Sequence, residues 1–332
     1  MSTQTDRAAD VPARGAAEVL VTTPSFGQFS PEPWAAVADL GLSVRRPVRP
    51  HPLSAEHLAE EVGDADALVV GLDRVDAQVL AAGRRLRVVA KHGVGTDNID
   101  VQAATARGIT VVNAPGGNSD AVADLTVGLV LALARDILAA HRSVVAGRWE
   151  RFSGPQLSGR TVGIVGFGRI GQAVARRFAG FGSRLLAHDP YVDPAVVAAA
   201  GAEPVGLPTL FRTADVVTLH LPGSPGGPVV DRDVLAGMPP GTLLVNAARG
   251  DLVDTAAVCA ALEDGHLGGY AADAFSTEPP AGDDPLLRAP RTVLTPHIGA
   301  FTDAANAAMG VTVVQDVARV LGGLPPRHPV TT

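Results

Sequence analysis

Residues 161–165 form a short β-branched run that leads without a break into Gly166-Phe167-Gly168-Arg169-Ile170-Gly171, and residues 172–178 then read as helix. A GxGxxG pattern alone is a weak signal; between a strand and a helix it stands where a dinucleotide fold needs it. Gly166 permits the tight turn, Gly168 lets a pyrophosphate approach the backbone, and Gly171 lets the helix pack against the strand. The helix start then offers N–H groups and the positive end of its dipole to phosphate. The next β-run, 184–188, ends at Asp189, eighteen residues beyond Gly171. A carboxylate there accepts hydrogen bonds from the adenosine ribose and repels a 2′-phosphate. Pro190 and Tyr191 follow, with no arginine for that phosphate, so NAD is favoured over NADP.

Short β-branched runs alternate with longer Ala-rich segments along the chain, the pattern of parallel sheets wrapped by helices. One series is 19–22, 42–45, 67–70, 87–90 and 110–113; the other is 161–165, 184–188, 216–220, 243–246, 269–273 and 292–295. The expected fold class is therefore α/β, with two doubly wound parallel-sheet domains. Between the series, residues 118–147 read as one long, mostly buried helix. Asn118, Ser119 and Asp120 supply cap chemistry, Val122, Leu125, Leu129, Val130 and Leu133 recur at helical spacing, and Gly147 closes it.

A chain of 332 residues with 46% hydrophobic and 18% charged residues fills two cores and is not a disordered polymer. Its net charge of −7 disfavours nucleic acid as a partner. Cys259 is the only cysteine, which excludes an intrachain disulfide and fits a reducing cytosol. The polar N-terminus has no apolar core of a secretory signal and reads as a flexible tail over 1–17. The most apolar stretch, 125–134, is too short to span a bilayer. A cytoplasmic protein, with no membrane partner and no metal, is the expectation.

Three later segments each put a polar group at the C-terminal end of a strand, where ligands lie in doubly wound sheets. They are Asn246-Ala247-Ala248-Arg249-Gly250, Asp273-Ala274-Phe275-Ser276-Thr277-Glu278-Pro279, and Thr295-Pro296-His297-Ile298-Gly299-Ala300. Oxidising a secondary alcohol needs a base for the hydroxyl proton, and the reverse needs an acid at the carbonyl oxygen. Histidine titrates near neutrality and serves both directions. A neighbouring carboxylate orients the imidazole and favours its protonated form. Arginine offers a planar, permanently charged fork for a carboxylate and a keto oxygen. Arg249, Glu278 and His297 are thus the candidate catalytic residues.

With these motifs the sequence closely resembles the D-isomer-specific 2-hydroxyacid dehydrogenases, especially the phosphoglycerate dehydrogenase-like branch, from about residue 19 to 323. The resemblance implies an oxidoreductase acting on a CH–OH donor, with His297 as acid/base, Glu278 as its partner and Arg249 as substrate anchor. It implies a Rossmann-type NAD-binding domain, 115–299, inserted into a discontinuous flavodoxin-like substrate-binding domain, 18–114 and 300–332. A homodimer joined largely through the region beginning at Asn118 is expected. His92-Gly93-Val94-Gly95 resembles the loop whose amides hold the substrate carboxylate, and Asn118 a second substrate or cofactor contact. Val94, Arg169, Ile170, Asp189, Leu221, Ala247, Asp273, Gly299 and Ala300 match positions lining the NAD site, with Asp273 near the nicotinamide amide.

Two departures stand out. The loop after Leu221-Pro222 reads Gly223-Ser224-Pro225-Gly226-Gly227, where the family commonly has two threonines. Lys91-His92 stands where phosphoglycerate enzymes commonly show an arginine followed by small residues, and Lys91 is a candidate for an anionic substrate tail. The match ends near the close of the substrate domain, so serine feedback through a regulatory tail is not expected. Lys91 and Arg249, with Arg45, Arg46 and Arg49, favour a small 2-hydroxy or 2-keto acid with a second anionic group. Candidates are 3-phosphoglycerate, a phosphonate or sulfonate analogue, and the glycerate–hydroxypyruvate pair. No aromatic cluster is evident near the loops, which disfavours a bulky apolar substrate. Formate dehydrogenase is disfavoured, because that branch pairs its histidine with glutamine. The alternative is an NADH-sensing, corepressor-like binding protein on the same scaffold.

Overall fold

The computed structural model describes residues 17–51, 53–224 and 226–331. The tail expected over 1–17 lies almost wholly outside the described residues. The chain divides into two compact units, 1–114 with 309–332 and 115–308; the second boundary falls inside the final helix, Asp303–Leu321.

The first unit carries strands β1 (Glu18–Val21), β2 (Ser43–Arg45), β3 (Ala67–Val70), β4 (Val88–Lys91) and β5 (Thr110–Val112), in the order β2-β1-β3-β4-β5. Every pairing is parallel. β3 and β4 are buried along their whole length, as strands covered by helices on both faces must be. The C-terminal segment returns to the β5 edge, where Val330 N–H donates to the Val111 carbonyl at 2.8 Å. Asp316, fully buried, holds that segment by accepting from the Arg327 and His328 amides.

The second unit carries β6 (Thr161–Val165), β7 (Arg184–His188), β8 (Glu203–Pro204), β9 (Val216–Leu219), β10 (Leu243–Asn246), β11 (Gly269–Ala272) and β12 (Thr292–Leu294). Their order is β12-β11-β10-β9-β6-β7-β8, again all parallel. β8 is a two-residue edge strand ending in proline, too short and too polar to stand out in sequence. The register aligns the strand ends. Val165 lies opposite His188 and Leu219, and Asn246 opposite Leu219 and Ala272. Gly166, Asp189, Ala247 and Asp273 therefore emerge along one edge of one sheet.

The long helix expected over 118–147 is two helices, Ser119–Ala134 and Ile137–Val145. Asp136 between them is left-handed at φ +48, a conformation that Asp tolerates better than most residues and that ends an α-helix. Arg291 holds Asp136 there by an ion pair at 3.3 Å. Asn118 is the N-cap by position, but its side chain caps nothing; its Oδ1 is buried with no hydrogen-bond partner among the described residues. Among the described residues, no helix is long and apolar enough to cross a membrane.

Candidate active site and dinucleotide cradle

The glycine turn is built as its spacing demands. Gly166 has φ +91, and a Cβ there would run into the His220 carbonyl and approach Leu221. The helix that follows, Arg169–Ala179, buries Ala173, Val174, Ala175 and Phe178 against the sheet. Gly168 is its N-cap and no side chain caps the helix; a Cβ on Gly168 would meet nothing within 4 Å. A helix start with uncapped amides above an open glycine suits a pyrophosphate. Asp189 stands at the end of β7, half-buried. Its Oδ2 accepts from the Phe167 amide at 2.8 Å and its Oδ1 from the Tyr191 amide at 2.9 Å. It thus supports the glycine turn while presenting a carboxylate beside it, so these residues fit a dinucleotide.

Four polar side chains gather along the same strand edge. His297 Nδ1 lies 2.9 and 2.8 Å from the two oxygens of Glu278. The Phe275 amide donates to Glu278 Oε1 at 3.0 Å, and a cis Glu278–Pro279 peptide follows. Asp273, 2% exposed, latches the loop that carries His297. Its Oδ1 accepts from the Thr295 hydroxyl at 2.6 Å and the Ile298 amide at 2.8 Å, and its Oδ2 from the Gly299 amide at 2.8 Å. The latch holds His297 at φ +54, a left-handed conformation that costs a non-glycine residue about 1–2 kcal/mol. Arg249 follows β10; its carbonyl accepts from Asn246 Nδ2 at 2.7 Å, and one guanidinium N–H donates to the Ala248 carbonyl at 2.7 Å. The next residue, Gly250, sits against the Phe275–Ser276 backbone with no room for a side chain.

Burial pushes the Glu278 carboxyl upward, but the hydrogen bond and charge of His297, the Phe275 amide and the Arg249 charge outweigh it and hold the group below the usual glutamate range. At Asp273 burial wins, and the carboxyl stands above its ordinary value despite Thr295, Ile298, Gly299 and His297. The two groups act oppositely on stability. A carboxyl lowered on folding contributes stability that is present above its unfolded value and lost as pH falls through the folded one; a raised carboxyl favours folding in acid and loses that contribution as pH rises through its folded value. Glu278→Gln should therefore be less stable than wild type at neutral pH, and the gap should close on acidification below the ordinary glutamate range. Thermal unfolding of both proteins across a pH series measures this; a gap that widens in acid would contradict the assignment.

The first unit presents the other candidates. Lys91 ends β4 and is 7% exposed, with His92 beside it at 6%. The Gly93 carbonyl accepts from the Ala114 amide at 2.9 Å, and the Val94 carbonyl from Asn113 Nδ2 at 2.7 Å. The loop carbonyls are thus turned inward. Among the described residues, nothing accepts from the Val94 or Gly95 amides. Arg45 pairs with Glu18 and Glu61 at 3.0 and 3.1 Å, Arg49 pairs with Glu60, and Arg46 lies over Trp34. These three arginines are engaged within their own unit. An aromatic cluster that the linear sequence hid is present: Phe26 packs edge-on to Trp34 at 4.7 Å and against His92 at 5.6 Å. In the 223–227 loop, Pro225 is outside the described residues. Asp251 accepts from the Ser224 amide at 3.0 Å, and the Ser224 hydroxyl donates to the Gly227 carbonyl at 2.5 Å. The roles of Asp251 and Thr295 had no sequence signal, since their partners lie more than twenty residues away.

A glycine turn on a parallel sheet, with an imidazole–carboxylate pair and an arginine at the same strand ends, defines a dinucleotide-binding fold with acid–base groups beside it. Residues 127–299 match the family model of the D-isomer specific 2-hydroxyacid dehydrogenase NAD binding domain. The D-3-phosphoglycerate dehydrogenase of Mycobacterium tuberculosis is 46% identical over 272 residues, 81% of this chain and 51% of the relative. A crystal structure of a Thermus thermophilus protein superposes with a TM-score of 0.85 at 36% identity, covering 95% of this chain and all of the other. The apo D-lactate dehydrogenase of Escherichia coli superposes at 0.83 with 27% identity, covering 95% of this chain and 100% of that one. The chain belongs to the D-isomer-specific 2-hydroxyacid dehydrogenase family, and its matched region is an NAD-binding domain. It spans about half the length of the curated relatives it matches.

Proposed function

We propose that this chain is an NAD-dependent dehydrogenase that interconverts a small 2-hydroxy acid and its 2-keto acid. The observation that carries the reading is the His297–Glu278 pair at the strand edge that also bears the glycine turn and Asp189. Glu278, held below the usual range, is ionised near neutrality and can only accept, so His297 Nδ1 carries the hydrogen and Nε2 is the proton acceptor. In the oxidative direction Nε2 takes the hydroxyl proton and Glu278 stabilises the resulting imidazolium. In the reverse direction the imidazolium returns that proton to the keto oxygen. Bound NAD supplies the acceptor or donor of the hydride. Gly166, Gly168, Arg169, Ile170 and Gly171 would cradle its pyrophosphate and Asp189 its ribose, with Leu221, Ala247, Asp273, Gly299 and Ala300 of the same unit lining the site; Val94, in the first unit, is a further candidate. In the second unit Arg249 would anchor a carboxylate and keto oxygen, with Asn118 as a further candidate contact; in the first unit the Val94 and Gly95 amides, with His92 and Gly93, are the candidate carboxylate contacts.

The substrate is either a 3-phosphoglycerate-like acid with a second anionic group, which the names of the relatives favour, or the glycerate–hydroxypyruvate pair. A homodimer is part of the reading. Ile137, Leu138, Val144, Val145 and Trp149 leave apolar side chains in solvent on and just after one helix, Trp149 at 80% exposure, a patch that a second copy would cover. The free cysteine and acidic charge suit a cytoplasmic enzyme.

Purified protein with NADH should turn over at least one of glyoxylate, hydroxypyruvate, 3-phosphohydroxypyruvate or a sulfonate analogue. NADH binding without turnover of any of them would leave a cofactor-sensing protein instead. Asp189→Ala should lower affinity for NAD, through both the ribose and the lost support of Phe167, and raise the NADP/NAD ratio of kcat/KM by about tenfold or more, the scale of one charged hydrogen-bonding group. An unchanged ratio would remove the basis for preferring NAD.

A further inference from the structure

The hydrogen bonds at the end of β4 assign Lys91 a task different from meeting a substrate tail. Its Nζ donates to the Gly71 carbonyl at 2.5 Å and to Asn98 Oδ1 at 2.7 Å. Asn98 Nδ2 closes the triangle on the same Gly71 carbonyl at 3.1 Å and also donates to the Asp73 carbonyl at 2.5 Å. Gly71 follows β3, while Lys91 and Asn98 bracket the 92–97 loop after β4. The Asn98 carbonyl in turn accepts from the Val75 amide at 2.8 Å, so the two loops are stitched at both ends of Asn98. The Lys91 stem runs under Gly93, whose absent Cβ would stand 3.3 Å from Lys91 Cε. An ammonium with 7% residue exposure is stable only where hydrogen bonds replace its water, and these acceptors do so.

We infer that Lys91 is a positioning residue: through Gly71 and Asn98 it locks the loop after β3 to the loop after β4, and so sets the Val94 and Gly95 amides for a substrate carboxylate whatever the rest of the substrate carries. The inference rests on the proposed dehydrogenase reading for its kinetic consequence, but not for its structural one. It separates the feature common to every 2-keto acid, the C1 carboxylate, from the distal group that distinguishes them. Lys91 serves the first.

The test uses Lys91→Met and Asn98→Ala in the full chain, read two ways. By kinetics, both variants should raise KM about tenfold, by similar factors for glyoxylate, hydroxypyruvate and 3-phosphohydroxypyruvate, with the Kd for NADH unchanged. A loss in Lys91→Met confined to 3-phosphohydroxypyruvate, and absent from Asn98→Ala, would overturn the inference and make Lys91 a distal-anion ligand. By amide hydrogen exchange, peptides covering 92–98 should exchange about tenfold faster in both variants; unchanged exchange would overturn it whether or not the protein turns over any keto acid. If the wild type fails on every keto acid while exchange responds as expected, the dehydrogenase reading falls and the strut stands. Should Lys91→Met not fold, Lys91→Gln, which keeps one donor for the Gly71 carbonyl, should give a smaller change in the same direction; no change in loop exchange would contradict the role.

Discussion

His297→Ala should lower kcat by about a thousandfold, within the range general acid–base catalysis supplies, while the Kd for NADH stays within about twofold of wild type. The separation follows from geometry. His297 is held by Glu278 on one side and by the Asp273 latch below it, and neither residue belongs to the glycine turn. Removing the imidazole leaves Gly166–Gly171 and Asp189 untouched. Steady-state kinetics on the best keto acid, with NADH binding followed by fluorescence, measure both quantities. Equal loss of turnover and cofactor affinity would mean that His297 is structural. The variant should not unfold: alanine removes the partner of a Glu278 whose side chain is 26% exposed, so water reaches it, and the Phe275 amide still donates to that carboxylate. Glu278→Gln keeps a hydrogen-bond acceptor for Nδ1 but not the charge that stabilises the imidazolium, so its turnover should fall less than that of His297→Ala.

Gly171→Val should abolish NADH binding and destabilise the second unit by more than about 4 kcal/mol, the range reserved for substitutions with nowhere to go. A Cβ at 171 is driven into the Gly166 carbonyl and against Ile164, both main structural members of the turn and of β6. Neither can yield without unmaking the strand–turn–helix junction. Gly168→Ala is the informative contrast. Its Cβ enters open space and its backbone is already compatible with alanine, at φ −68, so stability should be unchanged while NADH affinity falls. Thermal melts and NADH titrations of the two variants separate a glycine required by packing from one required by a ligand. If Gly168→Ala binds NADH as well as wild type, the pyrophosphate does not approach there.

Much of this was legible in the chain itself. The runs over 161–165, 184–188 and 243–246 are strands with those bounds, because the buried stretch of each is apolar, as a strand covered on both faces requires. The turn glycines, Asp189, Arg249, Glu278 and His297 could be singled out as candidates because the chemistry expected of them depends on residue type and on position after a strand, both properties of the linear order. The single helix expected over 118–147 failed where one residue, Asp136, takes a left-handed conformation stabilised by Arg291, far away in sequence. Periodicity cannot register such a break, since hydrophobic spacing continues on either side of it.

Sequence alone thus determined the fold class and the dinucleotide turn, and singled out Glu278 and His297 as the candidate acid–base pair, since local steric and chemical demands dictate residues of those types. Tertiary structure alone decided that Asp273 reaches across to Thr295, Ile298 and Gly299 to hold His297 in a strained backbone, and that Lys91 turns inward to Gly71 and Asn98. It also gathered Phe26, Trp34 and His92 into one cluster. Most of these contacts join residues distant in the chain, Lys91 with Gly71, Asp273 with Thr295, Ile298 and Gly299, and His92 with Phe26, and which buried donor meets which buried acceptor depends on sheet register, which no local pattern encodes.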